Sequence, residues 1–269
     1  MSPALIRPSR KTSACSRWSW FDPMIEQTVD IATKDGACAT FIVHPERDGP
    51  HPVVLFFMDA PAIREELRDM ARRIAAVGYY VMLPNLYYRR GVLELADLPK
   101  LPEAEARARM FDLMGSLTIS RVMSDGDCLL DFADRDPAAS KRKIATLGYC
   151  MSGQYAINFA ARYPDRVAAA ASIYGVQLVT DRPDSPHLAA QKAKAELYVA
   201  CAEHDAYAPL EMVQALEASL KSSKAKAEVE LYPGVHHGFA FPQRGAVYDK
   251  PAAERHWERL FALWDRTLG

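Results

Sequence analysis

Strand-like and helix-like segments alternate along most of this 269-residue chain, and that alternation limits the fold more than any other feature. Residues 52–58 (PVVLFFM) form a continuous apolar run rich in β-branched and aromatic side chains, which is typical of a buried parallel strand. Apolar residues then recur every three or four positions, which predicts an amphipathic helix with charged residues such as Glu66 on its outer face: Ile63, Leu67, Met70, Ile74 and Val77.

The same order continues to the C-terminus. Further strands are predicted over residues 27–32, 38–44, 79–83, 143–149, 167–174, 197–201 and 227–232. The polar stretch 86–142 predicts two helices with a break near Gly115, and the remaining helices are predicted over residues 154–163, about 210–220 and 251–268. Strands that alternate with helices in this way predict an α/β fold with a mostly parallel sheet and helices on both faces.

Composition argues against several classes of partner. The formal net charge is -1, and no stripe of Lys and Arg runs along the chain, so we expect no nucleic-acid partner. No apolar run approaches the roughly 18 to 20 residues that span a bilayer, so we expect no membrane partner. The five cysteines are odd in number and scattered, which favours free thiols in a reducing, cytoplasmic compartment.

The N-terminus differs in character from the rest of the chain. Residues 1–23 are basic and rich in Ser and Pro, and they lack the continuous apolar core of a signal peptide. We therefore expect a flexible N-terminal extension over residues 1–23, followed by a single domain over residues 24–269.

A candidate nucleophile lies at the junction of a predicted strand and a predicted helix, in the segment Gly-Tyr-Cys-Met-Ser-Gly over residues 148–153. A tight turn that exposes a nucleophile needs small residues two positions away on each side, and Gly148 and Ser152 satisfy this for Cys150. The helix N-terminus stabilises a thiolate there, and the Met151 N–H is placed for an oxyanion. An isolated Cys is more often buried and inert, but this context favours Cys150 as nucleophile. Ser152 is a rival that lacks a Gly two residues before it.

An acid and a base follow in the order that such hydrolases use. Asp205 comes after the predicted strand 197–201 and before a helix, where it orients a base, caps the helix, or does both. The turn after the last strand carries His236 and His237 between Gly234 and Gly238, and one of these histidines would take the thiol proton.

Four ordered segments give the chain a resemblance to the dienelactone hydrolases (carboxymethylenebutenolidase-like) of the α/β-hydrolase superfamily, over residues 27–268. Residues 148–153 resemble the Gly-Tyr-Cys-Leu-Gly-Gly motif of that family, and residues 84–87 (PNLY) its Pro-Asp-Leu-Tyr motif. Asp205 matches the acid of its Gly-x-x-Asp loop, with Ala202 in place of the Gly. Residues 232–239 are similar to its Tyr-Pro-Gly-x-x-His turn, a match that selects His237 as base.

The resemblance implies an α/β-hydrolase fold without a separate cap domain and a catalytic set of Cys150, His237 and Asp205. It implies hydrolysis of a small ester or lactone through a covalent acyl-enzyme, with no metal or organic cofactor. A second oxyanion donor is implied in the loop after residues 52–58, near the Ala60 N–H. We expect a monomer or a homodimer that acts on a small molecule.

The sequence departs from the family at two places. The family has a Glu that handles the proton of the resting thiol. An ungapped alignment puts Phe57 at its position, whereas two extra loop residues put Asp59 there. We favour Asp59 in this role over an Asp59 that only caps the loop. The family binds a substrate carboxylate with two arginines. The first corresponds to Arg107 or Arg109, and the second is replaced by Phe241, with Arg244 nearby. We therefore expect Arg107, Tyr87 and Phe241 to contact substrate, and a less charged ester or lactone fits as well as a dienelactone.

Two other functions remain open from the sequence. A thiol redox protein would use Cys150 against an oxidant, although no C-x-x-C pair is present and Cys201 is the only other cysteine at a predicted strand end. A non-catalytic binding module on the same fold would have no need of all three residue types in this order.

Overall fold

The computed structural model describes residues 23–269, so the predicted extension over residues 1–23 lies outside the described residues, apart from Pro23. Its centre is an eight-stranded sheet with the order β1-β2-β4-β3-β5-β6-β7-β8. The strands are β1 (Met24–Thr33), β2 (Gly36–Pro45), β3 (Val53–Phe57), β4 (Tyr80–Pro84), β5 (Ile144–Tyr149), β6 (Val167–Ile173), β7 (Glu196–His204) and β8 (Ala227–His236).

The predicted mostly parallel sheet is confirmed. Strands β1 and β2 form an antiparallel hairpin, and β2 pairs antiparallel with β4. All the other neighbouring strands run parallel. The carboxyl ends of β3, β5, β7 and β8 therefore meet at one edge of the sheet, which is where side chains that follow these strands come together.

Helices cover both faces of the sheet. They are α1 (Glu65–Ala75), α2 (Glu103–Gly115), α3 (Ile119–Arg135), α4 (Gly153–Arg162), α5 (Pro186–Ala190), α6 (Leu210–Lys221) and α7 (Lys250–Leu268). The predicted break near Gly115 is confirmed, and the short α5 is a helix that the sequence pattern did not predict. None of the helices in the described residues is long and apolar enough to cross a membrane.

Burial explains why the central strands read as continuous apolar runs. Every residue of β3 and of β5 is buried, since helices pack on the sheet from both sides. Strand β1, at the edge of the sheet, is instead mostly exposed. The most hydrophobic segments of the sequence are therefore strands β3 and β5. Strand β5 ends at the candidate nucleophile, and β3 ends at the loop beside it.

The contact between α3 and α4 depends on a glycine. A Cβ at Gly126 would lie 2.4 Å from the Phe159 ring and 2.8 Å from the Tyr163 hydroxyl. The Phe159 side chain is fully buried, and the Tyr163 hydroxyl donates to the Met123 carbonyl at 3.0 Å. Helix α3 therefore approaches α4 at a distance that only glycine allows.

We predict that Gly126→Ala lowers the free energy of unfolding by about 2 kcal/mol, because the added methyl group overpacks this contact. Gly115→Ala is the matched control, since nothing lies within 4 Å of its added Cβ; it should be neutral or stabilising by up to about 1 kcal/mol. Urea denaturation of both variants measures the difference. Equal stability of the two variants would show that α3 and α4 do not pack as described.

Candidate active site

The turn after β5 holds Cys150 in a strained conformation. Its φ angle is 53°, in the left-handed region that few non-glycine residues adopt. The turn is tight enough that a Cβ at Gly148 would lie 2.1 Å from the Ser152 carbonyl oxygen. A Cβ at Gly153, where α4 begins, would lie 2.7 Å from the Cα of Gly175. A glycine is therefore required at position 148, where a small residue was predicted, and also at position 153, and Cys150 is left partly exposed.

Asp205 and His237 meet although 32 positions separate them in sequence. The His237 Nδ1 lies 2.7 Å from the Asp205 Oδ2, so the ring donates from Nδ1 and leaves Nε2 free for another partner. The other oxygen, Oδ1, accepts the backbone N–H groups of Tyr207 at 2.8 Å and Ala208 at 3.0 Å. Asp205 is thus a buried carboxylate held rigidly by the loop that follows β7.

The alternative interpretation of Asp205 as a helix cap is wrong. Helix α6 begins at Leu210, and its N-cap position is Pro209, which has no side-chain cap hydrogen bond. The backbone groups that Asp205 accepts belong to the loop before the helix. Both oxygens are therefore committed to the loop and to the imidazole.

Two aromatic rings enclose the His237 imidazole. The ring of Tyr174 lies edge-on with its centroid 4.9 Å away, and that of Tyr207 lies 5.1 Å away. Burial alone would lower the pKa of His237, but hydrogen bonds with Asp205 and Cys150, and their charges, raise it to about 9. His236 points elsewhere and lies against the ring of His204 at 5.1 Å. Only His237 of the two therefore joins Asp205 and Cys150.

We call residues 148–153, the turn that carries the candidate nucleophile Cys150, the nucleophile turn. Two contacts fasten the loop after β3 beside it. The Ser152 hydroxyl, which is fully buried, donates to the Met58 carbonyl. The Tyr87 hydroxyl donates to the Ala60 carbonyl at 3.0 Å. Ser152 was interpreted as a tolerated small residue, and the structure gives its hydroxyl this bracing contact. Both contacts hold the Ala60 backbone next to the turn that carries Cys150.

Asp59 belongs to a cluster of charged side chains. Its carboxylate is fully buried and accepts from Arg64 at both oxygens, 2.6 Å from Nη1 to Oδ1 and 3.2 Å from Nη2 to Oδ2. The Arg244 Nη2 lies 3.7 Å from Oδ2. Glu66 accepts from Arg64 at 2.8 Å and from the backbone N–H of Gln243 at 2.8 Å. We call Asp59, Arg64, Glu66 and Arg244 the arginine cluster.

A cavity of about 720 Å³ opens beside the nucleophile turn. Ala60, Cys150 and His237 all line it, together with Arg64 and Arg244. The cavity is large enough for a small organic molecule. A molecule bound in it would contact the thiol, the imidazole and the loop that carries Ala60.

The predicted substrate contacts divide into two groups. Arg107 lines the cavity, whereas Arg109 is absent from its wall and instead pairs with Asp97 at 2.5 Å. Tyr87 and Phe241 are fully buried and do not line the cavity, which corrects their interpretation as substrate contacts. Tyr87 braces the loop behind Ala60. The Phe241 ring instead faces the Arg64 and Arg244 guanidinium groups, at 5.1 Å and 5.8 Å.

Arg64 and Glu66 carry several hydrogen bonds beside the site, and neither was predicted from the sequence. Glu66 was placed on the outer face of α1, but it is 5% exposed because Arg64 and the Gln243 backbone cover it. Arg64 precedes α1 directly and resembled an ordinary surface residue. The one available signal was the closeness of Asp59, Arg64 and Glu66 in sequence, which allows but does not require that they pair.

Known proteins share this architecture. The family model described as the dienelactone hydrolase family matches residues 38–268. An Escherichia coli protein named "Putative carboxymethylenebutenolidase" is 30% identical over 254 residues, which cover 92% of this chain and 89% of that protein. The crystal structure of a "Putative Dienelactone Hydrolase" from Klebsiella pneumoniae has a TM-score of 0.77 at 23% identity, and the match covers 90% of this chain and 99% of that one. A dienelactone hydrolase-like promiscuous phosphotriesterase from metagenomic libraries has a TM-score of 0.75 at 19% identity, covering 91% and 98%.

We predict that Asp205→Asn lowers the pKa of His237 from about 9 to below the ordinary value near 6.5. The variant loses the carboxylate that stabilises the imidazolium. Burial still disfavours the imidazolium, so it lowers the pKa of His237 with less compensation. The wild-type pair stabilises the fold fully below about pH 6.5, and this contribution is lost as the pH rises through about 9. An NMR titration of the His237 ring measures the pKa.

Glu203→Gln is the control for this titration. Glu203, near the end of β7, accepts from the N–H of Gly234 on β8 at 2.6 Å but does not contact the imidazole. Its removal should leave the pKa of His237 near 9. A value near 9 in Asp205→Asn would mean that Asp205 does not set the protonation of His237.

Proposed function

Because the chain belongs to the dienelactone hydrolase family, we propose that it hydrolyses a small ester or lactone by covalent catalysis from Cys150. The observation that carries this proposal is the hydrogen bond from His237 Nδ1 to Asp205 at 2.7 Å, with His237 and the Cys150 side chain together on the wall of one cavity. A nucleophile, a base and a residue that orients the base are the parts that acyl transfer requires.

Bond formation begins at the sulfur. The Cys150 thiol gives its proton to His237 Nε2, and the thiolate attacks the carbonyl carbon of the ester. Negative charge then develops on the carbonyl oxygen, and the backbone N–H groups of Met151 and Ala60 are the proposed donors that stabilise it. The braces from Ser152 and Tyr87 support this role of Ala60, because an oxyanion donor must be held in place before the reaction.

His237 then returns the proton. The imidazolium donates it to the leaving alkoxide as the C–O bond breaks, which leaves an acyl group on Cys150. Water, deprotonated by His237, attacks the acyl-enzyme and releases the carboxylic acid and the thiol. The raised pKa of His237, about 9, supports an imidazolium that keeps the proton at neutral pH until the leaving group takes it, and Asp205 keeps Nδ1 protonated so that Nε2 faces the reaction.

We propose that Asp59 positions Ala60 rather than handling the proton of the resting thiol. Its two oxygens already accept from Arg64, and Arg244 lies within ion-pair distance. Oxygens that already accept from a guanidinium are not free to accept the proton of a thiol. The role that a Glu has in the family is therefore replaced here by a structural ion pair.

The redox alternative has little support from the two buried thiols, Cys38 and Cys201. Cys201 is 3% exposed, and burial raises its pKa to about 12. Cys38 is fully buried, and burial raises its pKa likewise. Since a disulfide forms through a thiolate, neither is a ready partner for Cys150 at neutral pH.

We predict that Cys150→Ala abolishes hydrolysis of 4-nitrophenyl acetate, with a loss of at least about 1000-fold in kcat/KM. Cys150→Ser should lose most of the activity as well, because a hydroxyl is far less acidic than a thiol. Cys128→Ala is the control, since Cys128 is a partly exposed cysteine on α3 outside the cavity wall. Release of 4-nitrophenolate measures the rates, and near-wild-type activity in Cys150→Ser would count against thiolate catalysis.

A further inference from the structure

We propose that helix α2 forms one wall of a binding site for an apolar chain of the ester substrate, longer than an acetyl group, which covers the apolar face of this helix. This inference rests on the proposed function and specifies its substrate class. The observation behind it is a helix whose apolar face lines the cavity beside Cys150 instead of packing in the core.

Helix α2 buries little of its surface against the rest of the protein. Among its 13 described residues, Leu113 is the one buried side chain, whereas α3, which follows it, buries eight of 17. Helices in proteins owe most of their stability to the packing of an apolar face. Within the described part of the chain, α2 therefore lacks most of the packing that such a face normally has.

Exposed ion pairs connect α2 to the segment before it. Arg109 donates to Asp97 at 2.5 Å, and Asp112 accepts from Arg90 at 2.7 Å. All four side chains are at least 40% exposed, and ion pairs in water contribute little to stability. These pairs hold the helix near the cavity, but they do not cover its apolar side chains.

One face of α2 lines the cavity. Its residues recur at spacings of three and four, the period of a helix: Glu103, Ala106, Arg107, Met110, Phe111 and Met114. The first part of this face is charged, since Arg107 donates to Glu103 at 2.7 Å. The last part is apolar, with Phe111 49% exposed and both methionines half-buried. Thioether and aromatic side chains of this kind adapt to apolar ligands of irregular shape.

Apolar side chains from other segments line the same cavity. Ile63 comes from the loop before α1, Leu95 and Leu98 come from the segment before α2, and Val176 comes from the loop after β6. Of these four, all but Leu98 are buried, so they form a fixed surface. The cavity volume of about 720 Å³ lies within the range of sites for drug-sized ligands, which exceed an acetyl ester in size.

The occupant follows from what else lines this cavity. Cys150 and His237 lie on its wall, so a molecule that fills it brings an ester carbonyl to the sulfur and its remaining carbons to the apolar side chains. Charged side chains line the cavity as well, among them Arg64 and Arg244 of the arginine cluster. The apolar chain therefore accounts for one part of the ligand, and the preference expected from it concerns chain length.

Two pairs of esters measure this preference. 4-Nitrophenyl hexanoate and acetate differ in the length of the acyl group, and hexyl acetate and ethyl acetate differ in the length of the alcohol. Each buried methylene is worth roughly a three- to fourfold gain, so we expect kcat/KM to be at least about 20-fold higher for the longer ester of one pair. Each value is first divided by the rate constant of that ester with hydroxide.

The pair that responds identifies the half of the ester that lies against α2. A smaller ratio in both pairs overturns the inference, while turnover of 4-nitrophenyl acetate leaves the proposed function standing.

Matched variants assign the preference to α2. Phe111→Gln keeps good helix propensity but makes the face polar, so the kcat/KM ratio of the responding pair should fall at least about threefold. Phe111→Leu, which keeps an apolar side chain, should retain the ratio. Leu93→Gln is the control, because Leu93 is also 49% exposed but does not line the cavity. The ratio compares two esters on one protein, so a loss of folded protein cancels.

A second copy of the chain is the other occupant to test. Light scattering of the wild type and of Phe111→Gln measures the oligomeric state. A dimer that Phe111→Gln dissociates, with an unchanged ratio of the two esters, would show that the face is an interface between copies and would overturn the inference. An unchanged ratio without any change of oligomeric state would overturn it as well.

Binding separates this inference from the proposed function. Calorimetry with the Cys150→Ala protein measures the affinity of each ester without turnover. At least about tenfold tighter binding of the longer ester in one pair supports the apolar site even if the wild type hydrolyses none of the esters, an outcome that would overturn the function alone. Equal binding within both pairs overturns the apolar site.

Discussion

The contact between Gly148 and the Ser152 carbonyl is the constraint on which the rest of the site depends. It folds the chain back on itself directly after a fully buried strand, with no room for a side chain at position 148. The strained backbone of Cys150 is the consequence, and the large core around β3 and β5 supplies the free energy that holds the strain. A thiol on such a turn is lifted above the sheet edge, where the loops of the neighbouring strands end.

The parallel sheet then brings the residues that surround Cys150 to the same edge. Because β3, β5, β7 and β8 all end at one edge, the residues that follow them meet without any special pairing in sequence. The loop after β7 fixes Asp205 through two backbone N–H groups, and Asp205 fixes His237. The loop after β3 is fixed in turn by Ser152 from the nucleophile turn. Each loop is therefore held by another loop or by the turn that carries Cys150. These contacts make the site rigid although its residues lie in loops.

Sequence pattern predicted the fold and the triad because both depend on local signals. Hydrophobic periodicity located every strand of the sheet, and a Gly-x-Cys-x-Ser turn between strand and helix marked Cys150. Asp205 and His237 followed from chain order and from the resemblance to one family. The family match and the shared fold confirm the predicted family and fold, whereas the catalytic roles of Cys150, Asp205 and His237 stay a prediction.

Side-chain pairing across the sheet edge was not predictable in the same way. Whether Asp59 bonds the thiol, a backbone group or an arginine depends on where Arg64 and Arg244 point, and no local pattern contains that information. The same holds for Glu66, which periodicity assigned to solvent and which tertiary contacts bury. Phe241 was expected in contact with substrate, yet its ring packs against the guanidinium groups of Arg64 and Arg244. These pairings determine which charged groups beside the cavity are bonded to one another.

The central claim is a covalent bond between Cys150 and the acyl group of the substrate. Rapid acid quench of the enzyme with 4-nitrophenyl butyrate in its first turnovers, followed by digestion and mass spectrometry, detects that bond directly. We expect a butyryl mass increment on the peptide that contains residues 148–153, with fragment ions that place it on Cys150. An increment on Ser152, or turnover with no increment on that peptide under conditions that trap other acyl-enzymes, would contradict it.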